Sequence, residues 1–100
     1  MEFAVTDVPE KGRFEARDES GALAGVLTYQ MTGPIVVYTH TEVDPAFEGQ
    51  GAGSALAAAA MDDARAKSRT VVPMCPFVAE WLDKHPAYES LVARNTRRVK

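Results

Sequence analysis

The chain has 100 residues, 46% of them hydrophobic, enough for one domain whose core needs neither a metal nor a disulfide. Its formal net charge is -3, with four of the eleven Lys and Arg residues in the last seven positions, so the remaining body is acidic and DNA or RNA is disfavoured as the main ligand. Cys75 is the single cysteine and cannot pair within the chain, no stretch is long and apolar enough to span a membrane, and the start of the chain shows no secretory signal; a cytoplasmic location is expected.

The first half reads as strands separated by turns. Residues 3–8 form the first, Pro9 to Gly12 supply a turn, and 13–17 form the second. After a turn at 18–21, alternation over 23–30 predicts a third strand. Gly33-Pro34 turns the chain into a fourth, 35–43, rich in β-branched and aromatic residues and ended by Asp44-Pro45. Four consecutive strands with tight turns imply an antiparallel meander. The period then changes: Leu56, Ala57, Ala60, Met61 and Ala64 recur at helical spacing, which predicts a helix from Gly53 to about Lys67, with Asp63 and Lys67 as an i,i+4 pair. A fifth strand at about 70–74 and a second helix at 76–84 follow, the latter with Phe77, Trp81 and Leu82 as apolar surface and His85-Pro86 at its end. The fold class is α+β, as one domain over 1–93 with a basic tail at 94–100.

Between the fourth strand and the first helix lies Glu48-Gly49-Gln50-Gly51-Ala52-Gly53. A helix start presents unpaired backbone N–H groups and a partial positive charge, and glycines let a phosphate approach them closely. The run is thus a pyrophosphate cradle or, on the same residues, a simple chain reversal. It lacks the Gly-Lys-Ser/Thr ending of a P-loop, and four strands in hairpin order precede it rather than the first parallel strand of a dinucleotide fold.

Val43-Asp44-Pro45 followed by Glu48 to Leu56 resembles the acetyl-CoA signature of the GNAT N-acetyltransferases, Arg/Gln-x-x-Gly-x-Gly/Ala. Gly51 and Gly53 match its small positions, while Glu48 stands where arginine or glutamine is usual. His40-Thr41-Glu42-Val43 and Cys75-Pro76-Phe77 with Trp81-Leu82 extend the likeness to a small stand-alone subfamily with a histidine and cysteine pair. The resemblance implies a minimal GNAT fold with strands four and five splayed, and acetyl-CoA as cosubstrate. It places the cofactor against Thr41 and Val43 and on Glu48, Gly49, Gln50, Gly51, Ala52, Gly53 and Ser54. The turn at 9–12 leaves no room for the helices that wall the acceptor pocket in larger members. The acceptor side is therefore expected to be open, or completed by a partner such as a second copy in a homodimer.

Acetyl transfer to an amine needs a neutral nucleophile, stabilisation of the carbonyl oxygen and a proton for the departing thiol. His40 and Glu42, two apart on a strand, are expected on one face together with Tyr38. An imidazole there suits a base near pH 7, with Glu42 in reserve, although a strand histidine bonded to a neighbour fits equally on the residues alone. Cys75, just before a helix start, either carries the acetyl group or manages the thiol's proton; the alternative is an inert buried cysteine. The subfamily resemblance favours the catalytic roles. His85 is expected to satisfy a last-turn carbonyl, Trp81 and Phe77 to be core, and no zinc spacing exists.

The reading is an acetyl-CoA-dependent N-acetyltransferase acting on an unidentified amine, with no nucleic acid, membrane or metal involved. A non-catalytic CoA or acyl-CoA binding module is the alternative, and an interaction domain with a vestigial site is a third. The acidic body favours basic acceptors through steering.

Overall fold

The structure is a computed structural model and describes residues 2–93. The basic tail expected at 94–100 lies outside the described residues.

Five strands form one sheet in the order β1-β2-β3-β4-β5: β1 (Ala4–Val8), β2 (Arg13–Arg17), β3 (Leu23–Thr32), β4 (Ile35–Val43) and β5 (Thr70–Pro73). The first four run antiparallel to one another in sequence, as the tight turns require, and Gly12, Gly21 and Gly33 hold the left-handed turn positions. β5 returns parallel to β4 after the crossover helix α1 (Ala52–Ala66), and α2 (Pro76–Asp83) follows it. The expected boundaries hold to within two residues throughout.

The chain after α2, read from sequence only as a helix end, forms a 3-10 segment, Pro86–Leu91. Tyr88 anchors it to α1: its hydroxyl donates to Asp62 at 2.7 Å, and the Arg65 guanidinium lies 4.5 Å above its ring. Val92 and Ala93 then run beside β5, where the Ala93 N–H donates to the Val71 carbonyl.

Both helices pack on the same face of the sheet. The seam of α1 is Leu56, Ala57, Ala60, Met61 and Ala64, all buried against Phe14, Leu27, Val36 and Tyr38. Its alanines let the helix axis approach the strands closely, so the Tyr38 hydroxyl reaches the Ala60 carbonyl at 2.9 Å. The Asp63–Lys67 pair forms at 2.9 Å. From α2 the core receives Val78, Trp81 and Leu82, whereas Phe77, expected beside them, stays 40% exposed.

Among the described residues, the opposite face of the sheet carries no helix. On it Glu15, only 5% exposed, is clamped between Arg13 and Arg17 at 2.7 and 3.0 Å. Hydrogen bonds from Arg13 and then Arg17 hold the Glu15 carboxyl below its usual range.

Candidate functional site

Strand β4 carries an extra residue. Thr28 pairs with His40, but Tyr29 pairs with Tyr38, so Thr39 is bulged out, its hydroxyl 2.7 Å from that of Thr28. An inserted residue reverses the alternation that follows it. Tyr38 points into the core under the helices, and His40 and Glu42 leave the other face. The expectation that all three share a face is corrected on this ground: the period of two holds only along an uninterrupted ladder. Thr41 and Val43 occupy the helix side instead.

The bulge lies where β5 stops. β4 and β5 pair in parallel from Ile35 with Thr70 to Tyr38 with Pro73, and the Tyr38 carbonyl then accepts the N–H groups of both Met74 and Cys75 at 3.0 Å. Beyond this rung β4 runs on to Val43 with no strand partner on that side among the described residues. The His40 carbonyl and the Asp44 N–H are engaged on the β3 side, so alternation turns the N–H and C=O of Thr41 and Val43 toward the unpaired edge.

Cys75 is the N-cap of α2 and only 3% exposed, with its sulfur 3.3 Å from the Thr41 hydroxyl. Burial pushes the thiol up, but the Thr41 hydroxyl and the N–H groups of Val78, Phe77 and Thr41 outweigh it and hold the thiol below its ordinary value. His40 is exposed on the far face of β4, so the strand stands between the two residues instead of bringing their side chains together.

The glycine-rich run leads into α1 as expected. Gly49 and Gly51 adopt φ of +81° and +92°, and nothing lies within 4 Å of where a Cβ would sit on either. Gly51 caps α1 with no side-chain bond to the helix, and the first helical hydrogen bond runs from the Ala55 N–H to the Gly51 carbonyl. The N–H groups of Ala52, Gly53 and Ser54 have no partner among the described residues. They border a groove of about 280 Å³ that Val43, Phe47 and Phe77 also line. An open cradle with three unpaired donors fits a pyrophosphate.

The remaining expected residues fall around it. Glu48 lines the groove and Gln50 donates to the Ala46 carbonyl at 3.5 Å. The Ala52 side chain is buried, so only its N–H faces outward chemistry, and the Ser54 hydroxyl accepts from the Trp81 indole at 3.0 Å, tying α2 to the start of α1. His85 meets its expectation: Nδ1 bonds the Trp81 carbonyl at 2.7 Å, and the ring stacks on Trp81 at 3.8 Å. Phe77 is the groove residue that sequence reasoning missed. A Cβ on Gly53 would lie 2.8 Å from its ring, so the glycine makes room for the aromatic as well as for a ligand. Its place at the second position of α2, one residue off the buried stripe, is the only signal in the sequence.

Residues 13–91 match the family model described as GCN5-related N-acetyl-transferase. Among solved structures the chain is similar to a GCN5-like protein of Staphylococcus aureus, at 24% identity and a TM-score of 0.68 over 89% of this chain and 86% of the other. It is similar to a nourseothricin acetyltransferase at 22% identity and a TM-score of 0.52, covering 71% of this chain and 56% of that one. A ribosomal-protein-alanine N-acetyltransferase from Brucella melitensis biovar Abortus 2308 is 25% identical with a TM-score of 0.56, over 81% of this chain and 60% of that one. The chain thus spans little more than half the length of the latter two. Curated proteins yield no match by sequence.

Proposed function

The chain belongs to the GCN5-related N-acetyltransferase family, and on that premise we propose that it transfers an acetyl group from acetyl-CoA to an amine. The observation that carries the reading is the set of unpaired N–H groups at Ala52, Gly53 and Ser54, behind two left-handed glycines, beside the free edge of β4.

The N–H groups at the start of α1 hold the pyrophosphate, and the free N–H and C=O of Val43 pair with the amide-bearing arm. Acetyl-CoA supplies the acetyl group as an activated thioester. A backbone N–H on the same edge, freed where β4 parts from β5, meets the carbonyl oxygen as it gains charge. On the other face His40 takes one proton from the ammonium of the acceptor, with Glu42 two residues on as the reserve base. The amine nitrogen then attacks the carbonyl carbon; the C–N bond forms, the C–S bond breaks, and the departing thiolate receives the second nitrogen proton with Cys75 as relay. The depth of Cys75 favours this relay over a covalent acetyl carrier, since a thiol 3% exposed leaves little space for an acyl group. The β4 strand thereby separates an acceptor side, with the base, from a cofactor side, with the thiol.

A CoA-binding module without turnover is the second reading, favoured by the short 3-10 turn Pro9–Lys11, which supplies no wall for the acceptor. Calorimetric titration with CoA and acetyl-CoA is the deciding experiment, repeated on Gly51→Asp with folding followed by circular dichroism. Micromolar binding lost in the variant supports both readings, and acetylation of an amine that His40→Ala abolishes selects the enzyme. Absence of binding by folded wild type removes both.

A further inference from the structure

A second groove, of about 320 Å³, opens on the helix-free face of the sheet and is lined by Arg13, Gly25, Val26, Glu42, Asp44 and their neighbours. Its charges are divided. Arg13 gives Nε and Nη2 to the Glu15 carboxylate at 2.9 and 2.7 Å, which holds the guanidinium in place and leaves Nη1 without a partner among the described residues. Arg17 shares the same carboxylate, so two cations face one anion there. Among the described residues Glu42 has no ion pair or side-chain hydrogen bond, and the Asp44 carboxylate accepts only the Ala46 N–H. His40 leaves the same face two residues before Glu42.

Arg13 and Glu42 are two strands apart and two residues out of register, roughly 12 Å between their backbones, because Arg13 pairs with Thr28 of β3 and Glu42 with Val26. Arginine held by a carboxylate at one side and free at the other is a fixed receptor for a second carboxylate. An ammonium is favoured at Glu42 and Asp44 but repelled at Arg13, and an anion the reverse. The volume is at the small end of ligand sites.

We propose that this groove is the acceptor subsite and takes a small amine that also carries a carboxylate, with its anionic end on Arg13 and its ammonium at Glu42, beside His40. The assignment rests on the acetyltransferase reading for its role, and it is narrower than the generally basic acceptors that the net charge suggests.

Amide chemical shifts of the protein alone test the groove independently of the cofactor. Four probes of matched length separate the charges: 4-aminobutyrate, n-butylamine, butyrate and putrescine. The expected result is saturable shifts at Gly25, Val26, Glu42 and Asp44 with 4-aminobutyrate, at a concentration about tenfold below that needed by the other three, a preference worth one charged hydrogen bond. Arg13→Lys and Glu42→Gln, the first keeping a cation for Glu15 and the second at an exposed position, are each expected to erase most of that preference. Equal response to putrescine or n-butylamine, or shifts confined to other residues, overturns the proposal while leaving the acetyltransferase reading to the CoA titration. With CoA binding established, acetylation of 4-aminobutyrate at a kcat/KM no higher than that of n-butylamine overturns it as well.

Discussion

Cys75 and Thr41 sit in different elements, 34 positions apart, and meet at 3.3 Å because α2 begins where β4 loses its neighbour. Burial alone would raise this thiol; the donors of Thr41, Val78 and Phe77 reverse the sign. Ultraviolet titration of the thiolate should give a midpoint below that of a free cysteine, and Thr41→Val should move it up while leaving the fold intact. A thiol pKa lowered on folding stabilises the native state above the unfolded pKa, and this contribution disappears as pH falls through the folded one. Urea midpoints of wild type should therefore gain on those of Cys75→Ala as pH rises into the alkaline range, and parallel pH profiles would refute the assignment. Thr41 was expected as a cofactor contact from the family resemblance; its hydroxyl toward Cys75 is a role that no local pattern signals.

At the scale of the element, the bulge in β4 decides most of the site. The Thr28 and Thr39 hydroxyls meet across it at 2.7 Å, and farther along β3 a Cβ on Gly25 would lie 2.8 Å from the Glu42 carbonyl oxygen. Backbone cannot yield as a side-chain tip can. Gly25→Ala should cost about 1–3 kcal/mol in urea unfolding. Under α1, Tyr38→Phe removes the bond to the Ala60 carbonyl, which keeps its intrahelical partner, and should cost about 0.5–1.5 kcal/mol. β4 was legible as a strand to the residue, from its β-branched and aromatic run, but its bulge was not. Nothing about Thr39 marks it as the residue left out of the ladder; the partner strand chooses it.

For the whole molecule, a sheet with helices on one face leaves the backbone donors at the α1 start and His40 and Glu42 on the opposite face open among the described residues. A ligand bridging the α1 start, β4 and Phe77 joins elements that otherwise share few bonds. At about a hundredfold excess over its Kd, CoA should add about 2.7 kcal/mol of stability. At ~4–8 °C per kcal/mol for a domain of this size, Tm should rise by roughly 10–20 °C. Differential scanning calorimetry of wild type and Gly51→Asp checks this: the rise should vanish in the variant. No helix among the described residues is long and apolar enough to cross a membrane, and none of their side chains cluster as metal ligands.

Composition, periodicity and turn residues were sufficient by themselves for the order and bounds of the strands, the α1 seam and the place of the glycine run before a helix, because each depends on interactions within a few residues or on a repeating period. The identity of the family was legible too, since its cofactor loop is a contiguous motif. What only the tertiary structure decided is which side of β4 each candidate faces, that Cys75 answers to Thr41 and not to His40, that Phe77 stands over Gly53, and that Arg13 and Glu42 border one groove. Those relations are set between strands and helices distant in the chain, where a single bulged residue inverts every side chain after it.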